Sequence, residues 1–169
     1  MKLKSLKLLL AAAVLSFSAA PAFSAGGSVQ LQDAQVNLDN KLSLARGAKF
    51  YANYCMGCHS LKFSRYNRVA SDLGLEEADI KSIIFTRNDD NEIDKTGALM
   101  NNAIPTKDAA RWFGTAPPDL SLIARSRGGG DWIYSYLKGF YKDDSRPFGV
   151  NNTIFDNVGM PHVLLELQG

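Results

Sequence analysis

The sequence predicts a mainly α-helical domain over residues 41–169, and three observations support that fold class. Apolar residues recur at three- and four-residue intervals in several segments. No segment alternates apolar and polar residues over the length of a strand, and no internal repeat is visible. The 169 residues, 46% hydrophobic and 21% charged, have the size and composition of one globular domain.

Residues 1–24 have the pattern of a secretory signal peptide. Three lysines precede an apolar run over residues 8–20, and Ala22 and Ser24 are the small residues that a signal peptidase needs before its cut. The run is shorter than the ~20 residues that cross a bilayer. Export followed by cleavage after Ser24 is therefore predicted, rather than a membrane anchor.

Charge and hydropathy restrict the classes of function possible for the residues that follow the predicted signal peptide. The signal holds three of the 19 basic residues and no acidic one, which leaves 16 basic and 17 acidic residues and a formal net charge of −1. A nearly neutral chain without a basic block argues against nucleic-acid binding. No later run reaches ~18 apolar residues, so no transmembrane helix is predicted in this chain.

Helix signals follow a polar, loosely held arm over residues 25–40. Asn40 can cap a first helix, and apolar residues then recur at helical spacing from Leu44 to Cys55. Residues 75–85 predict a second helix, and the acidic residues 89–97 predict a loop. Asp119 can cap a short helix that ends at residues 128–130. Asp131 can cap the helix that follows. Residues 146–169 are expected to be mostly loop.

The sequence Cys55-Met56-Gly57-Cys58-His59 fits the Cys-x-x-Cys-His signature of c-type haem attachment. Two thiols add to the two haem vinyl groups, and two intervening residues let one turn of chain span them. The histidine that follows then lies under the iron. Gly57 lets the backbone pass close to the ring.

Three other interpretations of the two cysteines are weaker. A disulfide is the usual fate of a cysteine pair in an exported protein, but the adjacent histidine favours haem. A thioredoxin-like pair needs a strand before the motif and does not need the histidine. Zinc needs more ligands than two cysteines and two histidines easily give. Gly47 and Tyr51 also lie where c-type cytochromes place a glycine and an aromatic for a close crossing of the first and last helices.

The second axial iron ligand stays open from the residues alone. Met56 lies inside the attachment loop, and Met100 is near no obvious ligand loop. Met160, between a flexible glycine and a rigid proline, suits a ligand held on a loop. His162 is its competitor, and an open iron, as in a peroxidase-like haem enzyme, is the third possibility. A filled site transfers electrons only, and methionine raises the reduction potential relative to a second histidine.

Three blocks of sequence carry a family resemblance. They are residues 54–61 with 66–68 close behind, Pro117-Pro118-Asp119-Leu120-Ser121 followed by residues 125–127, and residues 157–162. In this order they resemble the cytochrome c1 family in its bacterial form, over nearly all of residues 42–169. The second block is far more specific than the attachment motif. The resemblance implies a class I cytochrome c-like fold with long inserted loops.

The resemblance also implies a function. Cytochrome c1 is an electron-transfer subunit, not catalytic alone, of ubiquinol–cytochrome c reductase in respiratory or photosynthetic chains. It works beside cytochrome b at the periplasmic face of the bacterial inner membrane. It takes one electron from the Rieske iron–sulfur protein and passes it to a soluble cytochrome c. The family's methionine ligand maps onto Met160, and its arginine at a haem propionate maps best onto Arg127, where guanidinium suits a carboxylate.

One departure from the family concerns the C-terminal end. In the family, a helix that packs on the first helix and then a single membrane anchor follow the methionine loop. Only nine residues follow Met160 here. We therefore expect a truncated chain with an incomplete haem domain over residues 41–169. The competing function is a free periplasmic electron shuttle, although small shuttles rarely need the long region 71–112.

Acidic residues in two groups could steer a basic cytochrome c, because opposite charges speed encounter. They are Glu76, Glu77 and Asp79, and then Asp89, Asp90, Glu92 and Asp94. Such residues are most often solvated surface. The steering hypothesis expects slower electron transfer at low salt once Asp89 and Asp90 are neutralised.

Overall fold

The computed structural model describes residues 29–88 and 90–168. The chain divides into residues 1–30 and a compact unit from Leu31 to Gly169, and the account below concerns that unit. The predicted signal peptide lies outside the described residues, as do the first residues of the predicted arm and Asp89.

Within the described residues, six α-helices supply most of the regular structure, in agreement with the predicted mainly α-helical class. They are α1 (Lys41–Tyr54), α2 (Tyr66–Leu73), α3 (Glu77–Lys81), α4 (Thr106–Phe113), α5 (Ile123–Arg127) and α6 (Gly129–Lys138), followed by a 3₁₀ helix at Leu165–Leu167. Among the residues that the structure describes, none of these helices has the length and apolar character needed to cross a membrane.

The described residues contain two small antiparallel sheets, although no strand was predicted. The first pairs β1 (Leu61–Arg65) with β2 (Leu99–Met100), and the second pairs β3 (Phe140–Lys142) with β4 (Val150–Asn152). In the second sheet Phe140 faces Asn152 in register, and Tyr141 faces Asn151. Strands of two to five residues are too short to show an alternating pattern, so the sequence could not reveal them.

The helix boundaries confirm some sequence signals and correct others. Asn40 caps α1 by accepting a hydrogen bond from Ser43 N at 3.0 Å, and α5 ends at Gly128, where φ is +104°. The helix predicted over residues 75–85 is wrong in extent, since only α3 forms. Asp131 does not cap α6, which begins at Gly129; its carboxylate instead accepts from Ala34 N at 2.9 Å.

The described end of the arm is packed against α6 rather than loosely held. Gln32 N donates to Ser135 Oγ at 2.7 Å, and Ala34 N donates to Asp131. A Cβ added to Gly130 would lie 2.9 Å from Val36 Cγ2, closer than real Cβ contacts come. Gly130 therefore lets the arm approach the helix closely.

The core forms around the segment that follows α1. Met56 and Tyr66 are fully buried, and Ile80 and Met100 are almost so. Tyr66 Oη lies 3.6 Å from Met56 Sδ and 3.2 Å from Thr86 Oγ1. The attachment motif is thus anchored in the best-packed part of the domain by its own second residue.

Candidate haem site

The attachment motif forms a tight turn at the end of α1. Cys58 N and His59 N both donate to Cys55 O, at 3.1 and 2.9 Å. Both cysteines are free thiols and partly exposed. Burial, together with the neighbouring Cys58, raises the pKa of the Cys55 thiol. The turn therefore presents two thiols close together at the protein surface, as addition to two vinyl groups requires.

His59 follows this turn with its imidazole buried and oriented. Nδ1 lies 2.7 Å from Pro118 O, and 9% of the residue is exposed. Because a carbonyl oxygen can only accept, Nδ1 must carry the proton. The lone pair of Nε2 is then free for a metal, the arrangement in which a hydrogen bond from the far nitrogen orients a histidine ligand.

Tyr51, in the last turn of α1, supports His59 from eight residues earlier in the chain. Its Oη donates to His59 O at 2.6 Å. Burial, with smaller effects from Cys55 and Asp119, raises the pKa of Tyr51 well above its usual range, so the hydroxyl remains a donor. The sequence predicts a helix crossing for Tyr51 and carries no sign of this hydrogen bond. A Cβ added to Gly47 meets nothing within 4 Å among the described residues.

A second set of hydrogen bonds joins the motif to distant loops. Asn102 Nδ2 donates to Cys58 O, and Asn102 N donates to Ser60 Oγ at 2.8 Å. Leu120 N donates to Ser60 O at 2.9 Å. Nothing in the local sequence indicates this role for Asn102, which lies 44 residues from Cys58.

The Pro-Pro-Asp-Leu-Ser block fits directly against the residues after His59. Asp119 Oδ2 accepts from Lys62 N at 2.8 Å, and Oδ1 accepts from Ser121 N at 3.0 Å. Burial opposes ionisation, but these hydrogen bonds, with the one from the Ser121 side chain, lower the pKa of Asp119 overall. Asp119 therefore ties the block to β1 instead of capping α5, and this tie sets Pro118 O opposite His59.

Met160 differs from the other two methionines of the described domain. Met56 and Met100 are buried in the core, whereas Met160 is half-buried on an irregular segment. Tyr136 Oη donates to Met160 Sδ at 3.4 Å. Burial raises the pKa of Tyr136 to about 12, so its hydroxyl is protonated at neutral pH. This hydrogen bond orients the thioether and leaves one sulfur lone pair available.

His162 lies beside this segment in a different environment. Its ring stacks on Phe140 with centroids 4.6 Å apart and an interplanar angle of 5°. Both ring nitrogens are buried, and neither has a hydrogen-bond partner among the described residues. His162 thus keeps unused nitrogen atoms near Met160, which is why its role needs a direct test.

The Met160 segment and the segment that orients His59 are neighbours. A Cβ on Gly159 would lie 3.9 Å from Thr115 Cγ2, and Thr115 is three residues before Pro118. The structure therefore brings the predicted methionine loop to the Thr115–Pro118 stretch, although about a hundred residues separate Met160 from His59.

Arg127 ends α5 and packs on aromatic rings. Its guanidinium carbon lies 5.5 Å from the ring centroid of Trp132 and 5.4 Å from that of Phe155. Trp132 stacks on Tyr136 at 5.1 Å and 13°. Arg127 is thus two side chains away from the Met160 sulfur, and its contact with a propionate stays a prediction.

Most of the acidic residues proposed for steering have polar partners in the structure. Glu77 pairs with Lys81 at 2.8 Å, Glu76 and Asp79 form a reciprocal cap on α3, and Asp94 accepts from Thr86 Oγ1 at 2.6 Å. These contacts serve local structure, although Glu76, Glu77 and Asp79 are also exposed. Asp90 and Glu92 are exposed too, and Glu92 accepts a hydrogen bond from Asn88 Nδ2 at 3.4 Å.

These groups define a class of site: two adjacent thiols, an imidazole with a free Nε2 and a separate, oriented thioether fit a haem protein with a Cys-x-x-Cys-His motif. The comparisons with known proteins name the family. Residues 32–168 match the Cytochrome C1 family, and the chain belongs to it. Membership implies a haem cofactor.

Relatives of known name agree with this family. The chain is 49% identical over 146 residues to a cytochrome c1 of Allochromatium vinosum, covering 86% of this chain and 57% of that protein. It is 48% identical over 148 residues to an ammonia monooxygenase gamma subunit of Nitrosomonas europaea, covering 88% and 60%. A mitochondrial cytochrome c1 heme protein of Neurospora crassa is 35% identical over 121 residues, covering 64% and 36%. The chain thus spans three-fifths or less of each relative's length.

Proposed function

We propose that this chain is a one-electron carrier with a single haem attached covalently through Cys55 and Cys58 and ligated by His59 and Met160. The observation that carries the proposal is the hydrogen bond from His59 Nδ1 to Pro118 O, which leaves Nε2 of the same ring as the nitrogen that could bind iron. Free, adjacent thiols one turn away support covalent attachment.

The residues of the chain have separate tasks in electron transfer. When bound, the haem supplies reversible one-electron oxidation and reduction. The hydrogen bond to Pro118 O fixes the imidazole ring and makes Nε2 a better donor. The hydrogen bond from Tyr136 withdraws electron density from Met160 Sδ, which favours the reduced state. His59 and Met160 would hold a bound haem, and the hydrogen bonds from His59 to Pro118 O and from Tyr136 to Met160 Sδ would restrict how far these two side chains move.

Met160 is the better candidate for the second ligand. Its sulfur is oriented by Tyr136, and Gly159 lies against the stretch that orients His59. His162 is held by ring stacking on Phe140. With Met160 as ligand, both axial positions are filled, which favours electron transfer over the chemistry of an open-iron peroxidase.

The place of this carrier is proposed from the family. We propose that it is exported and serves at the periplasmic face of the bacterial inner membrane, as the cytochrome c1 subunit of quinol–cytochrome c reductase. There it would take electrons from a Rieske iron–sulfur protein, beside cytochrome b, and pass them to a soluble cytochrome c. A Candida albicans relative named a cytochrome b-c1 complex catalytic subunit, 35% identical over 122 residues, supports this assignment.

Two measurements on protein produced with a haem-attachment system test the proposal. Mass spectrometry after denaturation should show the polypeptide plus one haem, and Cys55→Ala with Cys58→Ala should lose it. The oxidised protein should show the methionine-to-iron charge-transfer band. Met160→Leu should abolish that band and His162→Ala should retain it. A band that survives Met160→Leu would rule out this ligand.

The subunit assignment needs its own test. Reduced Rieske protein should reduce the haem-loaded protein rapidly, and a soluble cytochrome c should reoxidise it. A carrier that exchanges electrons with cytochrome c but not with a Rieske protein would instead be the free periplasmic shuttle.

A further inference from the structure

The residues just before Met160 are irregular in structure and are held by polar side chains of the neighbouring hairpin. Residues 156–160 form neither helix nor strand, and Asn157 has φ +59°. A non-glycine residue at positive φ is intrinsically disfavoured and persists only where surrounding contacts hold it. Something outside the loop must therefore select the conformation that presents Met160.

Arg146, in the turn between β3 and β4, binds this loop through three contacts. Its Nη1 donates to Asn157 Oδ1 at 3.1 Å, and Nη2 donates to Asn157 O at 2.9 Å and approaches Val158 O at 3.5 Å. A planar guanidinium with several fixed donors suits such a simultaneous grip on two carbonyls and an amide.

Asn151 on β4 holds the same loop from its buried side. It is 4% exposed, and its Nδ2 donates to Asp143 at 3.1 Å and to Asp156 at 3.2 Å. Its Oδ1 accepts from Val158 N at 3.4 Å. Arg146 thus donates to oxygen atoms of Asn157 and Val158, whereas Asn151 contacts the Asp156 carboxylate and the Val158 N–H group. We call this set of contacts the loop anchor.

The next residue of β4 connects the hairpin to the helix that carries Tyr136. Asn152 is 1% exposed, and its Nδ2 donates to Tyr136 O at 2.8 Å. Its Oδ1 accepts from Ile154 N at 2.9 Å. One short strand therefore fixes both the loop that ends in Met160 and the helix whose tyrosine binds the Met160 sulfur.

We infer that Arg146 is a positioning residue for the second axial ligand, acting with Asn151 through the loop anchor to keep Met160 Sδ directed at the iron. This inference rests on the proposed role of Met160. The iron–thioether bond is weak, so its population depends on how narrowly the loop conformation is selected beforehand. Without Arg146, the loop samples conformations in which the sulfur is withdrawn.

The test compares Arg146→Gln with Arg111→Gln in the haem-loaded protein. Arg111 is an exposed arginine of α4 paired with Asp108 at 3.1 Å, so its loss removes the same charge without touching the loop. Carbon monoxide binds the reduced iron only when Met160 is displaced. Arg146→Gln should speed this binding by about tenfold or more, as expected from lost charge-assisted hydrogen bonds, and should weaken the charge-transfer band.

Arg146→Lys and Asn157→Gly separate positioning from general stability. Lysine keeps one donor and should restore part of the band. Glycine keeps the left-handed backbone but loses the side-chain contact, and should give a smaller increase in carbon monoxide binding, even if Arg146→Gln does not fold. The midpoints of thermal unfolding of Arg146→Gln, Arg146→Lys and Asn157→Gly should not rank these variants in the same order as their carbon monoxide binding rates do.

The possible outcomes are distinguishable. If Arg146→Gln and Asn157→Gly match Arg111→Gln in carbon monoxide binding and in band intensity, the positioning role is overturned. If the band persists in Met160→Leu, the ligand proposal itself has failed. If Met160→Leu loses the band and Arg146→Gln weakens it, both proposals hold.

Discussion

His59 and Met160 are held by different kinds of structure. His59 follows a long helix directly, is adjacent to the buried core through Met56, and is fixed by Pro118 O and Tyr51. Met160 lies on an irregular segment, in contact with Tyr136 and controlled by a two-stranded hairpin. The His59 environment is built into the core of the domain, whereas the Met160 environment depends on a loop and a short hairpin. Substitutions around His59 should therefore affect haem attachment and folding stability, and substitutions around Met160 should affect the iron–sulfur bond and the reduction potential.

The largest expected effect comes from His59 itself. His59→Ala should abolish formation of a stable haem-loaded protein, because the ligand that follows the two thioether positions is lost. Met160→Leu should retain covalent haem. Haem staining after denaturing electrophoresis, with His162→Ala as a control, would measure this. Equal haem content in His59→Ala and Met160→Leu would contradict the proposed difference between the two ligand environments.

Met56→Ala should give the next largest effect, on stability. Removing most of a fully buried side chain should lower the free energy of unfolding by about 2–5 kcal/mol. Urea unfolding of the haem-loaded protein measures it. Leu165→Ala, at a residue that is 61% exposed, is the control and should change little. If Met56→Ala lowered the free energy of unfolding no more than Leu165→Ala does, the attachment motif would not depend on this core.

Tyr51→Phe should destabilise the His59 side more modestly. The buried His59 carbonyl would lose its only hydrogen bond among the described residues, at a cost of about 1–2 kcal/mol. Unfolding experiments should detect this while the charge-transfer band stays unchanged. Tyr54→Phe, in the same helix but 39% exposed, is the matched control. A weakened band with unchanged stability would contradict this difference between the His59 and Met160 environments.

Tyr136→Phe should change the reduction potential rather than unfold the protein. Without the hydrogen bond, Met160 Sδ donates more electron density to oxidised iron, and the reduction potential should fall by about a few tens of millivolts. Potentiometric titration measures the change. Tyr134→Phe is the control, because its hydroxyl contacts Lys138 instead. A rise in potential would contradict the proposed hydrogen bond to a ligand.

The smallest effect is expected far from both ligands. Asp90→Asn with Glu92→Gln removes two exposed charges and should slow reduction of a basic cytochrome c at low salt, with the difference vanishing at high salt. Glu77→Gln, whose charge is already paired with Lys81, should change the rate less. Rates that do not depend on salt would exclude steering by these residues.

The same asymmetry explains what the sequence could predict. Cys55, Cys58 and His59 form a contiguous motif, and Asn40 and Gly128 are local signals whose effects do not depend on distant packing. By contrast, α2 and α4 were missed because each has only eight residues, too few for a helical period to stand out in the sequence. The short strand β1 pairs with a strand that lies far along the chain.

Long-range polar contacts were invisible for the same reason. Asn102 reaches Cys58 across 44 residues, and Arg146 reaches Asn157 across 11. Neither residue type is unusual in a loop, and only the folded chain brings the partners together. The methionine loop was indicated by the glycine and the proline on either side of Met160, and the family resemblance strengthened that prediction.

The contacts of the arm with α6 limit how far the protein can be shortened from its N-terminus. Gln32 and Ala34 bind the helix that carries Tyr136, two turns or less from that residue. Removing residues 31–36 would uncover Ser135 and Asp131 and should loosen the helix that carries Tyr136. Residues 31–36 are therefore expected to affect the redox properties proposed for Met160, and a cut before Leu31 should preserve them.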